Sequence, residues 1–132
     1  QQKRTLDICT KELLTRKGLR SLSPKSGGYR PIYVGNQWER DSAYHQGTAW
    51  PWLTGFYLEA YLKVNKMSGM SFIERQLVTF EEELFYHDLG SIPELFDGNP
   101  PFHGRGAVSF AMNVASILRA IRLLDNINQT NQ

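Results

Sequence analysis

Two short segments of this chain carry side chains of the kinds that bind and cleave sugars. Residues 44–52 contain indole rings beside a His-Gln pair, and residues 90–98 contain one Glu between proline and glycine residues. Indole rings can cover the apolar face of a pyranose, while imidazole and carboxamide groups donate to and accept from its hydroxyls. These two segments therefore predict a polar site that recognises carbohydrate.

Within the segments, Glu94 is the candidate for acid–base chemistry, since a short Pro/Gly-rich loop would hold its carboxylate in place. The simpler alternative is an ordinary solvated loop carboxylate. Asp97 suits a hydroxyl contact, although an Asp-Gly turn explains it more simply. Arg105 suits either a hydroxyl contact or an ion pair, and Trp52 suits the core. The candidate substrate-binding residues are Tyr44, His45, Gln46, Trp50, Asp97 and Arg105.

Composition limits the possible classes of protein. A chain of 132 residues that is 41% hydrophobic and 21% charged is typical of one globular domain. The net charge of +2 is too small to indicate a nucleic-acid partner, and no apolar run approaches membrane-spanning length. Cys9 is the only cysteine, and the histidines His45, His87 and His103 lack metal-ligand spacing. We expect no metal, no other cofactor and no membrane partner.

Hydrophobic periodicity predicts four helices, over residues 3–17, 50–67, 71–86 and 106–124. The first and third are amphipathic, whereas the second and fourth carry apolar side chains on nearly all sides, which indicates burial. A segment rich in proline and glycine predicts a long loop, 19–41, with one short strand near 29–34. The last residues, 125–132, are polar and predict a frayed tail.

This order alternates outer and inner helices, so it predicts an all-α fold in two layers, with its long loops gathered at one end of the inner layer. A ligand there would meet helix N-termini and loop side chains. Four such helices look like part of a toroid, and they would leave apolar surface uncovered. We therefore expect the chain to self-associate, or to be covered by the remainder of a longer polypeptide. A first residue that is Gln1 rather than Met fits that expectation.

In its sequence motifs the chain resembles the C-terminal part of the glucosidase region of bacterial and archaeal glycogen debranching enzymes, the amylo-alpha-1,6-glucosidase family. The matching segments are GLRSLSP at 18–24, ERDSAYHQGTAWPW at 39–52, GSIPELFDG at 90–98 and GRGA at 104–107. The middle segment is long enough to be specific. Residues 1–132 would then form a single C-terminal segment of an (alpha/alpha)6 glucosidase domain.

The resemblance implies a partial (alpha/alpha)6 toroid and hydrolysis of alpha-1,6 branch points in a cytoplasmic alpha-glucan, with inversion at the anomeric carbon. It implies that Glu94 is the general base. The family's general acid is an Asp well upstream, which no segment here matches, so we expect the chain alone to be inactive. Two alternatives are a non-catalytic carbohydrate-binding or assembly module and a helical interaction domain without sugar contacts.

Overall fold

The computed structural model describes residues 1–85 and 90–130, where helices alternate with short strands. The helices are α1 Gln2–Glu12, α2 Gln37–Ala43, α3 Pro51–Asn65, α4 Met70–Phe85 and α5 Ala111–Thr130, and a 3-10 turn, Lys66–Gly69, joins α3 to α4. The strands are β1 Leu14–Thr15, β2 Gly18–Arg20, β3 Ala49–Trp50, β4 Leu95–Phe96 and β5 Gly104–Arg105.

The five strands form one antiparallel sheet, in which spatial order follows chain order from β1 to β5. Leu19 of β2 lies opposite Trp50 of β3, and Ala49 of β3 lies opposite Phe96 of β4. The pairing of β3 with β4 brings the segment 44–52 beside the segment 90–98. The sheet thus joins the two groups of candidate residues that are far apart in the sequence.

The expectation of an all-α partial (alpha/alpha)6 toroid is wrong, because this chain combines its helices with the five-stranded sheet. Strands β2, β4 and β5 lie in segments with glycine or proline that indicate loops, whereas β1 lies within the predicted first helix and β3 at the predicted start of the second. Each strand has only two or three residues. Such lengths are too short to show the alternation of period two that identifies a strand in a sequence.

Several helix boundaries also differ from the sequence prediction. The first helix ends at Glu12, because the chain then turns to pair β1 with β2. Helix α2 lies in the expected loop, where Asn36 and Glu39 form a capping box. The expected strand near 29–34 is absent from the described structure, and α5 continues to Thr130 through the expected frayed tail. The expected third-helix end at Tyr86, together with His87, lies outside the described residues.

Helix α3 packs mainly on α5 and also contacts α1 and β2, so the hydrophobic core lies between the helices and the sheet. Pro51 occupies the first turn of α3, where its missing N–H costs no helical hydrogen bond, as the sequence predicts. The buried core includes Leu6, Leu19, Ala49, Tyr57, Leu58, Ile73, Leu77, Phe80, Ile92, Phe96, Ile117 and Ala120. Among the helices described, none combines the length and apolarity needed to cross a membrane.

Candidate functional site

The two candidate segments meet backbone to backbone. A Cβ at position 98 would collide with the carbonyl oxygen of Gly47. Only glycine at this position therefore allows the two segments to approach so closely. The amide N–H of Gly98 donates to the carbonyl of Pro31 at 2.7 Å, and the amide of Asp97 donates to His103 at 2.9 Å. The segment that carries Glu94 is therefore held by hydrogen bonds to chain on both sides.

Glu94 immediately precedes β4, and its carboxylate is held by two donors from separate parts of the chain. The hydroxyl of Tyr44 donates to Oε1, and the amide N–H of Ala107 donates to Oε2 at 2.9 Å. The amide of Glu94 donates in turn to the carbonyl of Ala107 at 2.8 Å. The side chain is half-buried. These contacts fix the orientation of the carboxylate while part of it stays accessible.

Gly106 allows the carboxylate of Glu94 to lie against the backbone that binds it. Gly106 has a φ of +70°, in the left-handed region that favours glycine. A Cβ at this position would also collide with Oε2 of Glu94. A glycine directly before Ala107 is thus required both for the backbone conformation and for the position of the carboxylate.

Tyr44 remains a hydrogen-bond donor over the whole physiological pH range. Burial raises the pKa of its phenol to about 12, and the hydrogen bond to Glu94 and the negative charge of that carboxylate act in the same direction. An ionised phenol could not donate to the carboxylate and would be repelled by it. Tyr44 therefore binds Glu94 as a neutral phenol, and its contact with a substrate stays a prediction.

An aromatic cluster, formed by Tyr33, Tyr44, His45 and Trp50, surrounds the donor to Glu94. The ring of Tyr44 lies 4.8 Å from that of Trp50, with its edge toward it, and 5.6 Å from that of Tyr33. The rings of His45 and Trp50 are stacked at 5.6 Å. These contacts restrict the rotation of Tyr44, so the direction of its hydroxyl is set by packing.

The polar candidates of the first segment differ in exposure. His45 and Gln46 are exposed, whereas Trp50 is only 6% exposed and donates from Nε1 to Oγ1 of Thr48 at 3.1 Å. Trp52 is half-buried, and its ring packs edge-on against Phe56 at 6.1 Å. The exposed imidazole and carboxamide are accessible to a ligand, and the Trp50 indole stacks on the imidazole.

Asp97 and Arg105 form an ion pair in which the carboxylate is buried and the guanidinium is partly exposed. Oδ2 of Asp97 accepts from Nη2 and Nε of Arg105 at 2.9 and 3.1 Å, and Oδ1 accepts from the amide of Tyr33 at 2.9 Å. Asp97 is 1% exposed. Both of its oxygens bind protein donors, so the residue ties the segment around Tyr33 to the sheet. Of the two alternatives for Arg105, the structure shows the ion pair.

Two residues at this site do not stand out in the sequence. Asn113 on α5 is fully buried, and its carboxamide binds the backbone at Pro93, Glu94 and Trp52. A single amide within an apolar helix is the sequence signal that could have identified it, because a buried amide needs partners. Tyr33 lies in a segment without hydrophobic periodicity, so nothing in the sequence indicates that its ring contacts Tyr44.

The arrangement around Glu94 suits a carboxylate that accepts a proton. Each carboxylate oxygen has two lone pairs, and the bonds from Tyr44 and Ala107 use one on each oxygen. The remaining lone pairs are available to a water molecule or a sugar hydroxyl. Within residues 1–85 and 90–130, no group of three or more His, Cys, Asp or Glu side chains is placed to hold a metal ion.

Comparison with known proteins agrees with these features. A family model described as amylo-alpha-1,6-glucosidase matches residues 1–119. The glycogen debranching enzyme of Saccharomyces cerevisiae is 40% identical over 50 residues, an alignment that covers 33% of this chain and 3% of the yeast enzyme. These matches confirm the family expected from the sequence, whereas its prokaryotic branch stays a prediction. The chain belongs to the amylo-alpha-1,6-glucosidase family.

Proposed function

We propose that this chain supplies the general base, Glu94, for hydrolysis of alpha-1,6-glucosidic branch points in an alpha-glucan. The observation that carries the proposal is the carboxylate of Glu94 held between the Tyr44 hydroxyl and the Ala107 amide. A general base needs a fixed orientation and access to water, and Glu94 combines both. Membership of the family supports the reaction class and the substrate.

In the proposed reaction, Glu94 removes a proton from a water molecule, and at the same time the oxygen of that water bonds to the anomeric carbon. The bond from that carbon to the glycosidic oxygen breaks, and a second carboxylic acid protonates the departing oxygen. The water attacks the face opposite the leaving group, so the configuration inverts. Such a pair of carboxyl groups stands about 6.5–9.5 Å apart, which leaves room for the water.

The exposed polar groups beside Glu94 are the proposed contacts to the glucan. His45 and Gln46 offer donors and acceptors, and the rings of Tyr44 and Trp50 form the wall behind them. Arg105 is partly exposed and can donate to a hydroxyl while Asp97 holds its guanidinium in place. Asp97 then contributes to binding through Arg105 rather than by touching the sugar.

We assign the general acid to a part of the polypeptide outside this chain, which spans 3% of the yeast relative. General acid or base assistance contributes roughly 10²–10⁴-fold per group, so the chain alone should have no meaningful activity. Glucose release from a branched dextrin by the pure chain should equal that of an identically treated Glu94→Gln chain. Release above that control would contradict this assignment.

The decisive test uses Glu94→Gln in a polypeptide that joins this chain to the rest of the enzyme. Glutamine keeps the size of the side chain and removes its basic oxygen, so turnover should fall about 10²–10⁴-fold. Binding of an unreactive oligosaccharide should change little. Glu82→Gln, at an exposed position on α4, is the matched control and should retain normal turnover. Near-normal turnover of Glu94→Gln would instead favour the non-catalytic carbohydrate-binding module.

A further inference from the structure

One side chain of α5 fastens the loop that carries Glu94. The Nδ2 group of Asn113 donates both of its hydrogens, to the carbonyl of Pro93 at 2.6 Å and to that of Glu94 at 2.8 Å. Its Oδ1 accepts from the amide N–H of Trp52 at 3.0 Å. Asn113 is completely buried. A buried carboxamide with these three bonds has little freedom to move, because each alternative leaves polar groups without partners.

The partners of Asn113 lie on both sides of the site. Pro93 and Glu94 belong to the segment of the candidate base, whereas Trp52 lies in the first turn of α3. The first amide groups of a helix have no partner within that helix, and Asn113 satisfies one of them from outside. Trp50 directly precedes α3, and its ring contacts Tyr44. Asn113 thus links the backbone of Glu94 to the first turn of α3, directly after Trp50, whose ring packs against the phenolic donor Tyr44.

We infer that Asn113 is a positioning residue for Glu94, which sets the carboxylate in register with the Tyr44 hydroxyl. The inference rests on the proposed role of Glu94 as the base. Displacement of a catalytic group by about 1 Å can reduce a rate roughly 10²-fold. Loss of the two bonds to the Pro93 and Glu94 carbonyls would permit a displacement of this size, because they hold the backbone on which the carboxylate is mounted.

Ser116 provides a matched control on the same helix. Its hydroxyl donates to the carbonyl of Trp52 at 2.7 Å, so it also joins α5 to the first turn of α3. Its described hydrogen bond is to α3 and not to the Glu94 segment. Ser116→Ala therefore removes a half-buried polar link between the same two helices, while the bonds from Asn113 to the Glu94 segment remain.

The first experiment measures the pKa of the Tyr44 phenol in the 132-residue chain, by NMR of ¹³C-labelled tyrosine Cζ. That pKa is raised to about 12, and contact with Glu94 contributes after burial. Glu94→Gln defines how much of the shift the carboxylate supplies. In folded Asn113→Ser, the pKa should fall by at least half of that amount, and in Ser116→Ala it should not change. An unchanged Tyr44 pKa in folded Asn113→Ser would overturn the inference.

The second experiment measures kinetics in the polypeptide that joins this chain to the rest of the enzyme. Asn113→Ser should lower kcat about 10–100-fold with KM within about threefold, whereas Ser116→Ala should keep both near normal. Equal decreases of kcat in the two variants would mean that Asn113 only stabilises the packing of α5 and does not position Glu94. If Glu94→Gln retains turnover, the proposed base fails, while the Tyr44 measurement still decides whether Asn113 positions Glu94.

If Asn113→Ser does not fold, hydrogen exchange in the unmodified chain gives the answer. The Asn113 carboxamide hydrogens should then exchange at least 100-fold more slowly than those of the exposed Gln46. Exchange of both side chains at similar rates would contradict the bonds on which the inference depends.

Discussion

At the scale of single residues, two carboxylates three positions apart are given different environments. Asp97 is buried and neutralised by the guanidinium of Arg105. Glu94 is half-buried and is bound by a neutral phenol and a neutral amide. Neutral donors orient a carboxylate without pairing its charge with a cation. Asp97 therefore stabilises the fold, whereas Glu94 is the candidate base. The sequence alone does not distinguish these two roles.

The first prediction at this scale concerns Gly106. Gly106→Ala should lower the free energy of unfolding by about 1–3 kcal/mol, because Ala is strained at a φ of +70° and its Cβ displaces the Glu94 carboxylate. Urea denaturation measures the change. Gly27→Ala is the control, since a Cβ there meets nothing within 4 Å, and its effect should stay within about 0.5 kcal/mol. Equal effects of the two substitutions would contradict the close packing at Gly106.

The second prediction concerns pH. Tyr44 has a pKa of about 12 in the folded chain against 10.0 for a free phenol, so the folded state holds the phenolic proton more tightly. Its contribution to stability is complete below pH 10 and is lost as the pH rises toward 12. Urea denaturation at pH 9, 10 and 11 should show a steeper loss of stability for the unmodified chain than for Tyr44→Phe. Parallel curves would show that the phenol is not perturbed in the fold.

The contacts within the candidate site were partly predictable from the sequence. Glu94 and Tyr44 were identified because their side-chain chemistry and their neighbours suit a sugar site. The bond between them was not predictable, since 50 positions separate them and only the pairing of β3 with β4 brings them together. Asn113 was overlooked because helical periodicity reports which face is apolar and not what a single amide on that face binds.

At the scale of elements, the ladder of β4 and β5 is extended beyond the strands themselves. Backbone bonds join Glu94 to Ala107 before β4, and Asp97 to His103 after it. The ion pair of Asp97 with Arg105 crosses the same ladder, and the amide of Tyr33 joins it from a third segment. Two-residue strands are marginal by themselves, so these side-chain and backbone bonds are what stabilise this part of the sheet.

Asp97→Asn tests the contribution of that ion pair. The variant leaves the Arg105 charge without its partner, so the free energy of unfolding should fall by roughly 2–3 kcal/mol, below the full loss for a deeply buried pair because Arg105 is 31% exposed. Glu82→Gln is the control, since it breaks a 3.7 Å pair with Arg16 in which both side chains are mostly exposed. That loss should be under about 1 kcal/mol. Losses of equal size would refute the bracing role of Asp97.

Element prediction succeeded where a periodic signal was long enough. The helices α3 and α4 span 15 and 16 residues, and the sequence located both within about three residues. The sheet was not predictable because its strands are too short to show a period, and because the pairs β2–β3 and β3–β4 join segments that are far apart in the sequence. Helix α2 was missed for a related reason: its seven residues are fixed by the Asn36 capping box and not by an apolar stripe.

At the scale of the whole molecule, the packed pair of α3 and α5 leaves large apolar side chains uncovered. Phe56 on α3 and Leu118 on α5 are each 56% exposed, and Met112 on α5 is 50% exposed. The sequence led us to expect burial of these two helices on nearly all sides. The remaining exposed area is available to the rest of a longer polypeptide or to a second copy of the chain.

We accordingly expect the isolated chain to self-associate at high micromolar concentration. Burial of apolar area stabilises association by about 25 cal/mol per Å². Leu118→Lys places a charge among these side chains and should reduce the mass measured by light scattering. Val78→Lys, at a 50% exposed position on α4, should leave the mass unchanged. A strictly monomeric unmodified chain would contradict the expectation.

The Glu94 segment is bonded to the β5 side of the sheet at both ends, through Glu94 to Ala107 and through Asp97 to His103. These bonds also determine where the chain can tolerate changes in length. The connection from Asn99 to Phe102 is closed by its own backbone hydrogen bond and lies beyond the last ladder bond, between Asp97 and His103. An extra residue there would lengthen a turn and leave Glu94 opposite Ala107. An extra residue between Glu94 and Asp97 would reverse the side on which Glu94 projects, because successive side chains of a strand alternate. Insertions and deletions during evolution should therefore collect in the turn and spare the three residues that follow Glu94.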